Sequence, residues 1–191
     1  TEADQFTVQA ALPKADIEGL SEAIRNSNTA HAELSILQRC GTSLAEVLTG
    51  DADAIDLLFP GGSLAEAREL YIEAPFARTY NGTITSFLRK VTRDLPEGRP
   101  VRVLEIGGGT GGSTGAVLEA LSSYAVEYMF TDVSPHFLEA ASEHFGHNKG
   151  FRTGLLDIEK SPASQGYESK EYDLVIAANV LHATQDLSQT I

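Results

Sequence analysis

Apolar residues along this chain follow two rhythms, and the change comes near Pro100. Ahead of it the spacing is helical. Asp16–Arg25 reads as one helix, and Leu34, Ile36 and Leu37 mark a second across Ala32–Arg39. Gly41, Thr42 and Ser43 interrupt that pattern, and Ser43 is placed to cap a helix over Leu44–Leu48. Leu57, Leu58 and Phe59 form an apolar plug before a turn at Pro60, Gly61 and Gly62. Ser63 and Glu66 have capping-box spacing for a helix over Leu64–Tyr71. Ile84, Phe87, Leu88, Val91 and Leu95 recur at i, i+3, i+4, i+7 and i+11, the stripe of an amphipathic helix that ends at Asp94–Gly98. Thr1–Leu12 reads as a linker, with a short extended piece at Phe6–Leu12.

Beyond Pro100 the pattern alternates. Val101–Ile106, Val126–Thr131, Phe151–Leu156 and Tyr172–Ala178 read as strands; Gly112–Leu121 and Pro135–Phe145 read as helices between them. Tyr172–Ala178 is almost continuously apolar, which predicts burial on both faces. Alternation of this kind implies a parallel, doubly wound α/β sheet with right-handed crossovers, whose ligands sit at the carboxyl ends of the strands. The expected division is a helical region over residues 1–98 and a Rossmann-like core over residues 99–191.

Composition narrows the picture. The chain has 191 residues, 42% of them hydrophobic, enough for one substantial domain. No run approaches the roughly 18 apolar residues of a membrane span, and no signal-peptide pattern opens the chain. Thr1 is not a natural start, so the sequence reads as an excised piece. The single cysteine, Cys40, fits a reducing cytoplasm and reads as a packing residue. A net charge of −13, with no basic cluster, argues against nucleic acid as partner. His136 and His144 have no trustworthy metal spacing and, with His147, read as surface residues.

The chemistry concentrates at strand ends. VRVLEIGGGTGG (residues 101–112) packs five glycines into six residues after Glu105. Such a turn brings backbone close to a ligand and leads into a helix start with free N–H groups. Gly107, Gly109 and Gly112 satisfy the dinucleotide fingerprint, with Asp132 following 20 residues later. Glu105, Gly107, Gly109 and Gly111 equally satisfy E-x-G-x-G-x-G, the loop of class I S-adenosylmethionine (SAM) methyltransferases. An acid there suits a cationic sulfonium better than a pyrophosphate, by Coulomb attraction. Asp132, Asp157 and Asn179 then follow the next three strands. Asp132 is placed to accept from two ribose hydroxyls, or to cap the next helix; Asp157 to accept from an adenine amino group, or to stand as a solvated loop acid.

Taken together, the glycine loop, the FTD strand end, GLLD and YDLVIAANVLHAT resemble the class I SAM methyltransferases. LLFPGGS (57–63), LYIEAPFARTYN (70–81) and NVLHAT (179–184) resemble more narrowly the methyltransferase domains of modular polyketide synthases, most of them C-methyltransferases and some O-methyltransferases. The resemblance covers about residues 30–191. It implies SAM as methyl donor, with S-adenosylhomocysteine (SAH) as product, held by Glu105, Gly107, Gly109 and Gly111, with Asp132 at the ribose, Asp157 at the adenine and Asn179 beside the methyl group. It implies a helical lid over an acyl chain borne by an acyl carrier protein, neighbouring synthase domains as partners, and His182 as catalytic base. A histidine titrates near neutrality and suits that work; the other reading is a surface histidine. Tyr80, and less so Tyr71, are placed to steady an enolate oxygen or simply to pack. The family continues past Ile191 with a helix, about three strands and a glutamate that orients the histidine. Their absence implies weak activity for this piece alone, and leaves a non-catalytic, structural domain as an alternative.

Overall fold

The computed structural model describes residues 16–26, 30–95, 98–168 and 171–190. The expected linker and extended piece at the amino terminus lie outside them. Four strands, β1 (Val101–Ile106), β2 (Val126–Asp132), β3 (Phe151–Leu155) and β4 (Leu174–Ile176), make one parallel sheet in the order β3-β2-β1-β4. The order reverses between β1 and β4. That is where a doubly wound sheet opens a crevice at its carboxyl edge.

Among the described residues, six α-helices precede the sheet: α1 (Ile17–Asn26), α2 (His31–Thr42), α3 (Leu44–Thr49), α4 (Ala54–Leu58), α5 (Ala65–Arg68) and α6 (Pro75–Val91). Three more follow within it or after it: α7 (Thr114–Ala120), α8 (Pro135–Phe145) and α9 (Leu187–Thr190). One sheet face carries Val101, Val103, Tyr128 and Phe130; Leu88 of α6, Val117 and Ala120 of α7, and Ala141 and Phe145 of α8 complete the same core. Phe151 packs its ring against Tyr128, Phe130 and Phe145. Each large apolar side chain so buried contributes roughly 1.5–3 kcal/mol.

Several local expectations give way to tertiary contacts. The amphipathic helix starts earlier than its stripe, at Pro75, because proline fits the first helical position. Only part of the stripe is covered: Leu88 is buried, but Phe87 and Val91 are exposed. Ser43 makes no side-chain cap. The capping box at Ser63 is half formed. Ser63 Oγ accepts from the Ala65 N–H at 3.3 Å, but Glu66 is drawn away by Arg39 and Ser35, which both donate to its carboxylate. After α5 the chain runs through a π-helical turn, Glu69–Glu73, which carries Tyr71.

The last strand departs most. It is three residues long, not seven, and Val175 is 61% exposed. Among the described residues β4 pairs with β1, and Leu174–Ile176 make that ladder. Asp173 anchors its start, accepting from Arg99 at 2.8 and 2.9 Å and from the Arg102 N–H at 3.0 Å. These bonds hold the Asp173 carboxyl well below the usual carboxylate range, the Arg99 guanidinium contributing most.

Candidate functional site

A cavity of about 630 Å³ opens where the strand order reverses. Its floor is the glycine loop, with Glu105, Gly107 and Gly109, and the segment after β4, with Ala178 and Asn179. Its roof comes from the helical part: Phe59, Tyr71, Phe76, Tyr80 and Asn81. Phe59 meets Phe137 of α8 edge-on at 5.7 Å, closing one side with aromatic surface.

Glu105 is 2% exposed. Its Oε2 accepts from Thr114 Oγ1 at 2.7 Å and from the Tyr128 hydroxyl at 2.8 Å. Burial pushes its carboxyl up to about 7, with the nearby Asp132 charge adding and the two hydroxyl donors opposing. Burial and the Glu105 charge push the Tyr128 hydroxyl up in turn. This acid therefore holds a proton easily until a cation approaches.

The glycines divide the labour. Gly107, Gly109 and Gly111 all have positive φ, at 60°, 53° and 77°. A Cβ on Gly107 would strike Val180, one on Gly108 the Phe130 ring, one on Gly111 the Phe145 ring, and one on Gly112 the Tyr71 side chain and carbonyl. At Gly109 a Cβ would meet nothing nearer than 3.9 Å. Gly109 is thus the glycine that leaves open space in the cavity, the cradle a backbone-bound ligand needs.

Asp132, 6% exposed, accepts from the Gly109 N–H and the Ser134 N–H, each at 2.9 Å. It fixes the loop and the turn that leads to Ser134, the residue at the start of α8. Asp157 is spoken for differently: its carboxylate pairs with Lys160 at 2.8 Å and accepts from the Glu159 N–H, and both interactions hold its carboxyl below the usual range. Asn179 sits on the cavity wall with φ 56°, a left-handed backbone that asparagine tolerates better than most residues. His182 lies three residues further, in the single turn Leu181–Ala183. It is exposed and lies outside the cavity lining. The sheet thus brings Glu105, Gly107, Gly109 and Asn179 to one cavity, α6 adds Tyr80, and Asp132 lies behind the loop. Gly111, Asp157 and His182 stand off its wall.

Sequence reasoning missed Asn81. Its side-chain amide donates to the Tyr71 and Gly112 carbonyls, both at 3.2 Å, and so ties the roof to the glycine loop. Thr85 adds a bond to the Ala116 carbonyl. The only sequence signal was the ARTYN segment, which drew attention to its tyrosine.

A parallel 3-2-1-4 sheet with a glycine loop after its first strand and an acid closing its second defines the class I methyltransferase arrangement. A family model described as "Methyltransferase domain" matches residues 104–191. Polyketide synthase ThaG of Burkholderia thailandensis is 37% identical over 164 residues, 84% of this chain and 3% of that protein. The CurJ carbon methyltransferase superposes with TM-score 0.87 at 40% identity, over 93% of this chain and 48% of that one. The trans-methyltransferase CalH, solved with SAH, gives TM-score 0.73 at 29% identity, over 91% of this chain and 47% of that one. The chain belongs to the SAM-dependent methyltransferase domains of polyketide synthases. It spans about half the length of the solved domains it matches, and a few per cent of the synthase. Among the described residues, no helix is long and apolar enough to cross a membrane.

Proposed function

We propose that the domain methylates the α-carbon of a β-ketoacyl thioester borne by an acyl carrier protein, within a larger synthase whose neighbouring domains are its partners. The observation that carries this reading is the cavity. One wall is a glycine backbone cradle beside a buried acid, and the other is aromatic and suited to an acyl chain.

When bound, SAM supplies an electrophilic methyl group on a cationic sulfur. Gly107 and Gly109 would hold its amino-acid end, with Gly111 shaping the turn behind them against Phe145, and Glu105, ionised by the incoming cation, would balance the charge. Asp132 would take the ribose with the lone pairs left after its two backbone bonds. Asp157, which stands off the cavity wall, would reach the adenine only by giving up its contact with Lys160. Asn179 orients the reacting end from the opposite wall. His182 removes the substrate α-proton, and Tyr80 donates to the enolate oxygen as charge develops there. The α-carbon, freed of its proton by His182, would then be the nucleophile for that methyl group, and the His182 imidazolium would pass its proton to water.

One observation favours the non-catalytic alternative. His182 is exposed, and no described residue hydrogen-bonds its ring. Calorimetry with SAM separates the readings, since a decayed domain gives no heat. The decisive assay supplies the parent synthase with SAM and an acylated carrier protein, with and without His182→Ala. A gain of one methylene mass, lost in the variant, supports the proposal. Methylation at an unchanged rate in the variant removes His182 from the mechanism. Methylation on oxygen in the product directs the reading to an O-methyltransferase.

A further inference from the structure

A second hollow of about 370 Å³ lies beside the Phe59–Phe137 contact. Gly62, whose N–H bonds back to the Phe59 carbonyl at 2.8 Å, forms one lip, and His136, next to Phe137, forms the other. A Cβ on Gly62 would stand 3.9 Å from the His136 ring. Arg68 of α5 and His144 of α8 line the rest, with Glu143 the one acid.

This grouping is unusual for the chain, which carries 27 acidic against 14 Lys and Arg residues. Here one arginine and two histidines face a single carboxylate. Arg68 is half-buried and has no carboxylate partner among the described residues, whereas Arg39, Arg78, Arg89 and Arg99 each have one. Arg68 stands close enough to His144 for its charge to oppose that of the imidazolium. Burial first, then the charges of Arg68 and His147, push the His144 imidazole below its ordinary range. An anion seated between them would relieve that repulsion. Phe59 and Phe137 line the cavity, and Gly62 and His136, near them in sequence, line this basic hollow.

We propose that Arg68, His136 and His144 bind the phosphodiester of the carrier protein's phosphopantetheine arm, which then passes the Phe59–Phe137 edge to deliver its acyl end beside Gly109 and Asn179. The proposal rests on the carrier-bound substrate proposed above. It adds the place where the tether is read.

The test follows the His136 and His144 ring resonances by NMR during titration with phosphopantetheine, pantetheine, inorganic phosphate, and a carrier protein lacking its arm. Phosphopantetheine is expected to shift both rings. Arg68→Gln is expected to weaken that binding about tenfold, and Arg68→Lys to restore most of it. Equal shifts with pantetheine, which lacks phosphate, overturn the proposal. So does inorganic phosphate binding as tightly, which marks a free-anion site, or equal shifts with the armless carrier, which marks recognition of the carrier surface. No shift with any probe also overturns it. Methyl transfer is scored separately. Should phosphopantetheine bind as described while the parent synthase transfers no methyl group, the catalytic reading fails and this site stands. Should methyl transfer proceed with KM for the arm-borne substrate unchanged in Arg68→Gln, the site fails and the catalytic reading stands.

Discussion

The side-chain amide nitrogen of Asn81 lies 3.2 Å from the carbonyl oxygen of Gly112, so helix α6 grips the loop that follows β1. The same nitrogen reaches the Tyr71 carbonyl. Roof and floor of the cavity are joined by one amide. Asn81→Ala is expected to cost about 1 kcal/mol of stability, the scale of net hydrogen bonds in a half-exposed place. Asn81→Asp is expected to cost more, because a carboxylate would face two carbonyl oxygens with no proton to offer. Both are expected to weaken SAM binding several-fold. Denaturant titration and calorimetry read the two effects; SAM affinity unchanged in both variants would remove the coupling.

Neighbouring glycines should fail in different ways. Gly108→Ala sets a methyl against the Phe130 ring, which is fully buried, so overpacking of about 1–3 kcal/mol is expected. Gly109→Ala meets open space, and its cost is backbone strain of about 1–2 kcal/mol at φ 53° together with obstruction of the cradle. The ratio of lost SAM affinity to lost stability is therefore expected to be larger for Gly109→Ala. Equal ratios would show that Gly109 is there for the fold alone.

Glu105 predicts a falling stability profile. Its carboxyl sits near 7 in the native protein against an ordinary value of 4.5. Between those values the folded state binds more protons than the unfolded one, so stability declines as pH rises, by an amount on the order of 3 kcal/mol. Glu105→Gln keeps an oxygen for Thr114 and Tyr128 but cannot ionise. Above pH 7 the variant is expected to be the more stable protein, and the difference is expected to shrink toward pH 4.5. A difference that does not vary with pH contradicts this. SAM binding near neutrality is also expected to release a proton, visible as a buffer-dependent heat.

Asp173 works with the opposite sign. Its carboxyl is held low by Arg99, so its contribution is present above the ordinary value of 3.8 and is lost as pH falls below it. Asp173→Asn is expected to cost about 1 kcal/mol at neutral pH, since Arg99 is half exposed and well screened. Amide exchange should speed up first in Leu174–Ile176. Uniform acceleration across all four strands would assign Asp173 to global stability instead.

Much of this was legible from the chain because the signals were local. The strands β1 and β2 followed from their apolar runs, and the glycine loop from its composition. What escaped was decided by neighbours distant in sequence. Glu66 has cap spacing but answers to Arg39. Val175 belongs to an apolar run, yet among the described residues its strand is paired on one side. Gly111 fits the cofactor motif, yet its space is claimed by Phe145. Asn81 acts on carbonyls ten and 31 residues away, a pairing no local pattern announces.

Asn179 holds a backbone shape that glycine would hold as readily. Shape and chemistry can therefore be taken apart at that position. A glycine there would preserve the path of the main chain and delete only the amide, so whatever the domain then loses is owed to what asparagine touches and not to how the chain bends.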